Sequence, residues 1–424
     1  MNKNPRVFLA LLLVGCGALA AAAGISPDQT PPRQGAAPAP GPAIRFNDGK
    51  TSVGVRVSIF DNIIYFPAKV NGAAGLDFVL DTGASDISAL DQEVAETRGL
   101  PRGRGTTGGG AGPEQVQMWE LEGVTLSAPG MEMSGFRFIT LPLKRMEPYW
   151  GRKKDGLFGG NILGRLVTRI DYDRRTVTFH DPGSFEASGN GQIVPLTVEA
   201  NTLFVTAKVT AEGSDVPMEG LFLVDTGVRM TFFNTPFTEK NRLIQKSSRT
   251  LENIAGFGIG GASWATMGRL TSLQIGEFVV ERPVVQFNTA TKGIEASSRF
   301  DGIIGADLLS RFIVTLDYQK KKMILEKGAR FEQPFEYDMS GLYVITAGDR
   351  NDVFKVENVV KDSPAAKAGV ENGDILVSVD SKPASSFTLE TLKLHLREEG
   401  RVAALQVKRA GKTMNFSFRL ERLI

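Results

Sequence analysis

The chain has 424 residues, a formal net charge of +2, one cysteine and two histidines. A single cysteine excludes a disulfide framework and a cysteine-rich zinc site, and no metal or cofactor is expected. The near-neutral charge, without a basic stripe, argues against a nucleic-acid partner. With 47 glycines, 21 prolines and many short runs of Val, Ile, Phe and Leu, the composition predicts a mostly β protein of two or three domains.

Residues 1–23 have the features of an export signal. Lys3 and Arg6 precede an apolar run that is too short to span a bilayer. The tract LVGC, which ends at Cys16, resembles the lipobox of bacterial lipoproteins. Two interpretations remain open: Cys16 is lipidated and attaches the protein to a membrane, or the leader is cleaved after Ala20–Ala23 and Cys16 is lost. Both predict an exported protein in the periplasm or cell envelope.

Residues 24–43 contain the tract PPRQGAAPAPGPA. A composition of Pro, Ala and Gly with few large apolar side chains cannot build a core. We expect an unfolded tether here.

The first chemically suggestive stretch is FVLDTGAS, residues 78–85, in which an apolar run ends at Asp81. Asp and Gly are ordinary turn residues, so one Asp-Thr-Gly triplet is weak support for chemistry. Its meaning depends on whether a second carboxylate reaches the same place.

The chain repeats itself. The segment DGLFGGNILGRLVTRIDY at 155–172 aligns without a gap with DGIIGADLLSRFIVTLDY at 301–318, and each is preceded at a similar distance by an Asp-Thr-Gly triplet. The second triplet begins at Asp225, in LFLVDTGVR. We therefore expect two homologous halves, 44–190 and 191–330. One structural alternative remains, in which both triplets serve only as turns.

These paired motifs, DTGA and DTGV with GLFG and GIIG, resemble the aspartic proteases. The short halves are similar to retropepsin-like enzymes, whereas the presence of both halves on one chain is similar to pepsin. The resemblance implies two tandem β-barrel halves related by a pseudo-twofold axis.

The resemblance also implies an activity and the residues that support it. Two adjacent carboxylates share one proton, so the ionised partner can activate water while the protonated partner polarises a carbonyl. The catalytic pair would be Asp81 and Asp225. The supporting residues would be Thr82 and Thr226, which brace the opposite loop, and Gly83 and Gly227, which allow close approach.

Two glycine clusters, Gly105–Gly112 and Gly256–Trp264, suit mobile hairpin tips or plain flexible loops. They lack the Lys-Ser/Thr of a phosphate-binding loop. The resemblance implies that they are flaps over the substrate. The predicted flap and substrate-binding residues are Gly108, Gly109, Gly110, Gly258, Gly260, Gly261 and Trp264.

Three features depart from the family pattern or have no assigned role. Val228 and Arg229 follow the second triplet, where a small or hydroxyl residue is usual, and neither flap contains the tyrosine of pepsin-like enzymes. The basic and aromatic segment Lys144–Lys154 is either part of a subsite, a membrane contact or a solvated loop.

The C-terminal part, 333–422, resembles a PDZ domain of the bacterial-protease kind through SPAAKAG and GDILVSVD. A helix is expected over Leu389–Arg397. The resemblance implies that Gly341, Leu342, Tyr343 and Val344 bind a peptide C-terminus. The alternative is a small α/β cap that only packs against the rest.

Together these features predict an exported aspartic endopeptidase that acts on protein or peptide substrates. Its PDZ module would recognise substrates or C-terminal peptides. The alternative function is a non-catalytic peptide-binding or scaffold protein on a protease-like fold. Retention of both aspartates favours the enzyme.

Overall fold

A computed structural model describes residues 41–187 and 189–424 of the protein. These residues form a mostly β structure, as predicted. The predicted leader, Cys16 and all but the last residues of the predicted tether lie outside the described residues.

The first half is built almost entirely of short strands. They are β1 (Ala43–Phe46), β2 (Ser52–Arg56), β3 (Ser58–Phe60), β4 (Ile63–Val70), β5 (Ala73–Leu80), β6 (Ser88–Asp91), β7 (Arg102–Gly108), β8 (Val116–Leu121), β9 (Thr125–Ala128), β10 (Met131–Ser134), β11 (Phe138–Leu141), β12 (Gly156–Phe158), β13 (Val167–Asp171) and β14 (Thr176–His180). The helices are α1 (Gln92–Thr97), α2 (Glu147–Trp150) and α3 (Gly160–Leu163). The main sheet has the order β1-β10-β9-β4-β5-β12-β6-β11-β8-β7, with β3 paired to β4.

The second half repeats this plan. Its strands are β15 (Gln192–Pro195), β16 (Thr197–Glu199), β17 (Thr202–Ala211), β18 (Met218–Val224), β19 (Phe232–Phe233), β20 (Leu251–Gly258), β21 (Gly261–Ile275), β22 (Phe278–Glu281), β23 (Val284–Phe287), β24 (Gly302–Ile304), β25 (Phe312–Asp317) and β26 (Lys322–Lys327). The helices are α4 (Thr235–Lys240), α5 (Leu243–Lys246) and α6 (Ala306–Leu309). The sheet order is β16-β17-β18-β24-β19-β23-β21-β20, with β22 paired to β21.

A third sheet joins the halves, in the order β15-β26-β25-β13-β14-β2. At its centre β13 pairs antiparallel with β25, and Arg169 lies opposite Thr315. These two residues occupy the same place in the two repeats, so the approximate twofold axis passes between them. This sheet contains strands from both sides of the predicted boundary at residue 190 and does not mark where one half ends. The boundaries of the halves therefore remain predictions.

The C-terminal part forms a separate antiparallel sheet, β27-β28-β29-β31-β32, with β30 paired to β29. Its strands are β27 (Leu342–Ala347), β28 (Val353–Val359), β29 (Ile375–Val379), β30 (Lys382–Pro383), β31 (Val402–Arg409) and β32 (Lys412–Arg419). Its helices are α7 (Pro364–Ala368) and α8 (Leu389–His395), and short 3₁₀ turns elsewhere in the chain span Asn47–Gly49, Leu143–Met146, Ile294–Ala296 and Ala384–Ser386.

Helix α8 illustrates how sequence sets an element. Thr388 and Thr391 form a reciprocal capping box at its N-terminus, and Leu389, Leu392 and Leu396 are buried on one face. The helix ends at His395, two residues before the predicted end, because Leu396 already adopts the C-cap conformation.

The core consists of several apolar clusters. One continuous cluster contains buried side chains of both halves, and a second lies inside the C-terminal unit. Phe66 and Phe158 pack edge to face at 5.0 Å in the first half, and Phe222 and Phe233 pack at 5.4 Å in the second. These aromatic pairs lie behind the strand ends that carry the site.

Candidate active site

Asp81 and Asp225 each follow the last residue of a buried strand, β5 and β18. Each strand runs parallel to a short partner, β12 or β24, which belongs to the gap-free aligned segment of the same repeat. The Asp81 N–H donates to the Phe158 carbonyl at 3.1 Å, and the Asp225 N–H donates to the Ile304 carbonyl at 3.0 Å. The duplicated local fold therefore presents both carboxylates at the pseudo-twofold axis.

The two aspartates approach across the axis over glycines. A Cβ atom on Gly83 would clash with the Asp225 carboxylate, and one on Gly227 would lie 2.6 Å from Asp81 Cγ. The two carboxyl groups lie close enough to shift each other's pKa. The structure thus brings together the predicted pair and explains why a side chain larger than hydrogen is not accommodated at either glycine.

Thr82 and Thr226 form a reciprocal brace and are fully buried. The Thr82 hydroxyl accepts from the Thr226 N–H at 3.0 Å and donates to the Val224 carbonyl at 2.7 Å. The Thr226 hydroxyl accepts from the Thr82 N–H at 3.2 Å and donates to the Leu80 carbonyl at 2.6 Å. The brace locks the two loops in register, as the resemblance implies.

Burial and mutual repulsion control the ionisation of the pair. Burial, followed by the charge of Asp81, raises the pKa of Asp225 well above its usual range. Burial also raises the pKa of Asp81, while the charge of Lys154 and N–H groups of Ala84 and Gly83 lower it. The pair therefore holds one proton over a broad pH range.

The carboxylates lie at the floor of a cavity of about 630 Å³. Its walls include both aspartates, the tips of two hairpins and side chains of the C-terminal unit. Cavities of this size accommodate a ligand of several residues or a small molecule.

The hairpins β7–β8 and β20–β21 form the roof, and their tips contact each other. The Gly260 N–H donates to the Ala111 carbonyl at 2.8 Å, and the Glu114 N–H donates to the Gly260 carbonyl at 2.9 Å. Of the predicted flap residues, Gly109, Gly110 and Gly258 line the cavity. Gly108, Gly260 and Gly261 are at strand ends or the tip and do not line it.

The structure does not place Trp264, a predicted flap and substrate-binding residue, in the cavity wall. Trp264 is 48% exposed and is absent from the cavity wall, whereas its neighbour Ser263 lines the cavity. The cause is the alternation of side chains along β21, which turns successive residues to opposite faces.

The segment Lys144–Lys154, left open by the sequence, contributes to the site. Met146, Trp150 and Lys154 line the cavity, and Trp150 Nε1 donates to the Phe257 carbonyl of the second hairpin at 3.1 Å. Within this segment, the sequence did not single out Lys154 as a site residue. A signal did exist, because the repeat alignment extended by one residue places Lys154 opposite Phe300.

The predicted peptide-binding residues Leu342, Tyr343 and Val344 line the same cavity as the aspartates. Gly341 precedes them in a left-handed turn with φ of +82°. Two N–H groups of this loop already have partners: Gly341 donates to Asp338 and Leu342 donates to the Ser340 hydroxyl. The N–H groups of Gly341 and Leu342 would therefore have to leave their present acceptors before they could donate to a peptide carboxylate.

A buried ionic cluster joins the C-terminal unit to the second aspartate loop. Asp61 accepts from Arg229 at 3.0 Å and from Lys393 of α8 at 2.8 Å, and its N–H donates to Glu390 at 2.7 Å. Although burial opposes them, the charges of Lys393 and Arg229 hold the pKa of Asp61 well below its usual range. Arg229, the departure noted in the sequence, is thus a structural link.

No metal site accompanies these features. Among residues 41–187 and 189–424, no group of three His, Cys, Asp or Glu side chains is arranged to hold a metal ion. Within the same part of the chain, no helix is long and apolar enough to cross a membrane.

Comparisons with known proteins agree with this geometry. Residues 66–162 and 206–308 match the sequence model of the aspartyl protease family, and residues 355–409 match that of the PDZ domain. The chain thus contains two segments that match the aspartyl protease family, followed by one that matches the PDZ domain.

Among solved structures, the chain is similar to the aspartic proteinase from Irpex lacteus. The two are 12% identical over 66% of this chain and 99% of that chain, with a TM-score of 0.42. No curated protein sequence matches this chain.

Proposed function

We propose that the protein is an aspartic endopeptidase whose Asp81 and Asp225 jointly activate water. The observation that carries the proposal is the pair of adjacent carboxyl groups, each lying against the glycine of the opposite loop, on the floor of a cavity roofed by two hairpins. A pair that shares one proton supplies a base and an acid side by side, which amide hydrolysis requires.

The proposed reaction conserves the shared proton. The ionised carboxylate takes a proton from a water between the pair, and the water oxygen attacks the peptide carbonyl carbon. The protonated carboxyl donates its proton to the carbonyl oxygen, which gives a tetrahedral diol. The carboxyl group that gave its proton to the carbonyl oxygen then takes a proton from a hydroxyl of the diol. The carboxyl group that received the water proton donates it to the leaving nitrogen, and the C–N bond breaks.

We also propose that the PDZ module binds the C-terminal residues of substrates or of regulatory peptides. This proposal is supported by the position of Leu342–Val344 in the wall of the cavity that holds the aspartates. In addition, β27 is the edge strand of its sheet, the position at which PDZ domains add a peptide strand.

Cleavage of a broad peptide library by the full chain, from acidic to neutral pH, tests the enzymatic proposal. We expect cleavage by the wild type and its loss in both Asp81→Asn and Asp225→Asn. Peptides with free and with amidated C-termini should be compared, because only the free carboxylate can use the PDZ site. Binding without cleavage at any pH would instead establish the non-catalytic peptide-binding function.

We further propose that the protein is exported to the periplasm or cell envelope, on the strength of the charged start, apolar run and LVGC tract of residues 1–23. Mass spectrometry of the mature N-terminus tests this proposal. Lipidated Cys16 at the N-terminus indicates an anchored lipoprotein, and an N-terminus beyond Ala20–Ala23 indicates simple cleavage. An intact Met1 would contradict export.

A further inference from the structure

The two repeats differ at one buried position beside the site. In the second half, Phe204, Leu223, Phe232, Phe300 and Ile303 form an apolar cluster. The residues at the same places in the first half are Tyr65, Val79, Ala89, Lys154 and Leu157. An ammonium group therefore stands where the other half buries a phenyl ring.

The backbone confirms that Lys154 and Phe300 are equivalent. The residue after each, Asp155 or Asp301, accepts a hydrogen bond at 2.8 Å from the neighbouring strand, from the N–H of Asp77 or Leu221. Lys154 is 1% exposed and Phe300 is 7% exposed. The two halves thus contain equivalent buried positions, and in the second half an apolar side chain fills that position.

Burial of Lys154 has no compensating ion pair. Its Nζ lies over the ring of Trp150, and within the part of the chain that the structure describes it forms no salt bridge, since the nearby Asp155 pairs with Lys153 instead. Burying an unpaired ammonium is strongly unfavourable. A role in packing alone does not explain that cost, because Phe300 performs the packing role without a charge.

The charged groups facing Lys154 are few. Arg229 repels it, and Asp81 and Glu147 attract it. Burial and then Arg229 lower the pKa of Lys154 well below its usual range, while Asp81 opposes this. Ionisation of Asp81 and retention of the Lys154 proton therefore support each other.

On the other side of the axis, Asp225 has no equivalent cation, since Phe300 occupies the matching place. Tyr172 and Tyr318, which directly follow two strands of the shared sheet, also lie near the pair, and burial raises the pKa of both hydroxyls so that they stay neutral. The charge of Lys154 thus lowers the pKa of Asp81, whereas the charge of Asp81 raises the pKa of Asp225.

We propose that Lys154 is a positioning residue that fixes the shared proton on Asp225 and keeps Asp81 as the ionised partner. This inference rests on the proposed function, because it assigns the base and the acid within that mechanism. In a strictly symmetric pair the two roles would be equivalent. Lys154 would make the two roles unequal, so that Asp81 activates the water and Asp225 polarises the carbonyl.

The test begins with a measurement that does not require catalysis. Aspartate carboxyl carbons labelled with ¹³C are titrated by NMR in the full chain, and Asp81→Asn and Asp225→Asn assign the signals of the pair. In Lys154→Met we expect the lower titration midpoint of the pair to rise by about one pH unit. Lys154→Arg, which keeps the charge, should retain the wild-type midpoint.

Lys144→Met is the matched control, because it removes a lysine from the same segment whose side chain is 60% exposed and paired with Glu93. We expect it to leave the midpoint unchanged. An unchanged midpoint in Lys154→Met would overturn the proposal. Circular dichroism shows whether each variant is folded, and Lys154→Phe, which copies the second half, provides a second neutral variant.

Kinetics then separate this inference from the proposed function. In Lys154→Met the acidic limb of the pH profile of kcat/KM should move toward neutral pH by the same amount, with rescue in Lys154→Arg. A rise in KM for acidic peptides with an unmoved acidic limb would make Lys154 a substrate anchor and contradict the proposal. If the wild type cleaves nothing, the proposed function fails while the NMR titration still decides the role of Lys154.

Discussion

At the scale of single residues, the two loop threonines differ from ordinary turn residues in the number of contacts that depend on them. Each hydroxyl both accepts a hydrogen bond from the opposite segment and donates one to it, across the axis between the repeats. Both hydroxyls are fully buried. Removing one would leave a backbone N–H and a backbone carbonyl without partners in a place that water does not reach.

We therefore expect Thr82→Val to reduce the free energy of unfolding by about 2–4 kcal/mol, although the side-chain volume is preserved. Urea unfolding followed by circular dichroism measures the loss. Thr82→Ser keeps the hydroxyl and should lose markedly less. Equal losses in the Val and Ser variants would show that the methyl group, not the brace, is important.

At the scale of elements, the short helices α3 and α6 occupy the same place in the two halves but carry different polar residues. Asn161 accepts from the Ser88 hydroxyl at 2.8 Å, whereas Asp307 accepts from the Thr231 hydroxyl at 2.8 Å. Burial raises the pKa of Asp307 to about 6, against the lowering effect of its hydrogen bonds with Thr231. The second half thus contains an acid where the first has an amide.

This difference predicts a pH dependence of stability. Because the pKa of Asp307 is higher in the folded state, the folded protein binds more protons between about pH 4 and pH 6, and its stability falls as the pH rises through that window. We expect Asp307→Asn to stabilise the protein at pH 7 by on the order of 2 kcal/mol and to have little effect at pH 4. The reverse exchange in the first half, Asn161→Asp, should destabilise mainly at pH 7.

Thermal unfolding of both variants at the two pH values measures these effects. The same change in stability at pH 4 and pH 7 would count against a titrating Asp307. It would point instead to a change in packing.

The contact between the hairpin tips is a second property of elements. Gly112 has φ of +96°, and a Cβ atom there would clash with the Gly260 backbone of the opposite tip. We expect Gly112→Ala to separate the tips and to increase amide hydrogen exchange over residues 109–115 and 256–261. Gly123→Ala is the control, because Gly123 has φ of +66° but nothing within 4 Å of its Cβ position. If both variants exchange alike, backbone strain and not the tip contact is responsible.

How much of the site the sequence predicts depends on the range of the contacts. The aspartate pair, the two threonines and the two glycines could be predicted from the sequence, because the same local motif occurs once in each half. The alternation that turns Trp264 away needs the register of a 15-residue strand. The pairing of Asp61 with Lys393 joins residues 332 positions apart, and no periodicity or motif in either segment indicates it.

At the scale of the whole molecule, the PDZ unit is attached to the protease units through buried charge. Asp61 is the anion shared by Arg229 and Lys393, and all three side chains are mostly buried, with 14% to 26% exposure. Further contacts join Thr346 to the Pro148 carbonyl and Asn358 to Asn253. The position of the PDZ groove relative to the aspartates therefore depends on this cluster.

We expect Asp61→Asn to reduce the free energy of unfolding by on the order of 2–4 kcal/mol, because it leaves two buried cations without their anion. Glu93→Gln, which breaks the exposed pair with Lys144, should cost no more than about 0.5 kcal/mol. In a double-mutant cycle with Lys393→Met, the loss at Asp61 should become smaller. Additive losses would show that the two side chains are not coupled.

The register of the central sheet has a consequence for assembly. Strands β13 and β25 are equivalent strands of the two repeats, and they pair antiparallel about the axis. Each strand could therefore also pair with a second copy of itself. Two copies of the first half meeting in this register would place Arg169 against Arg169, and like charges directly opposite each other disfavour pairing. In the native chain Arg169 faces Thr315 instead, which favours the union of unlike halves within one chain over exchange between chains.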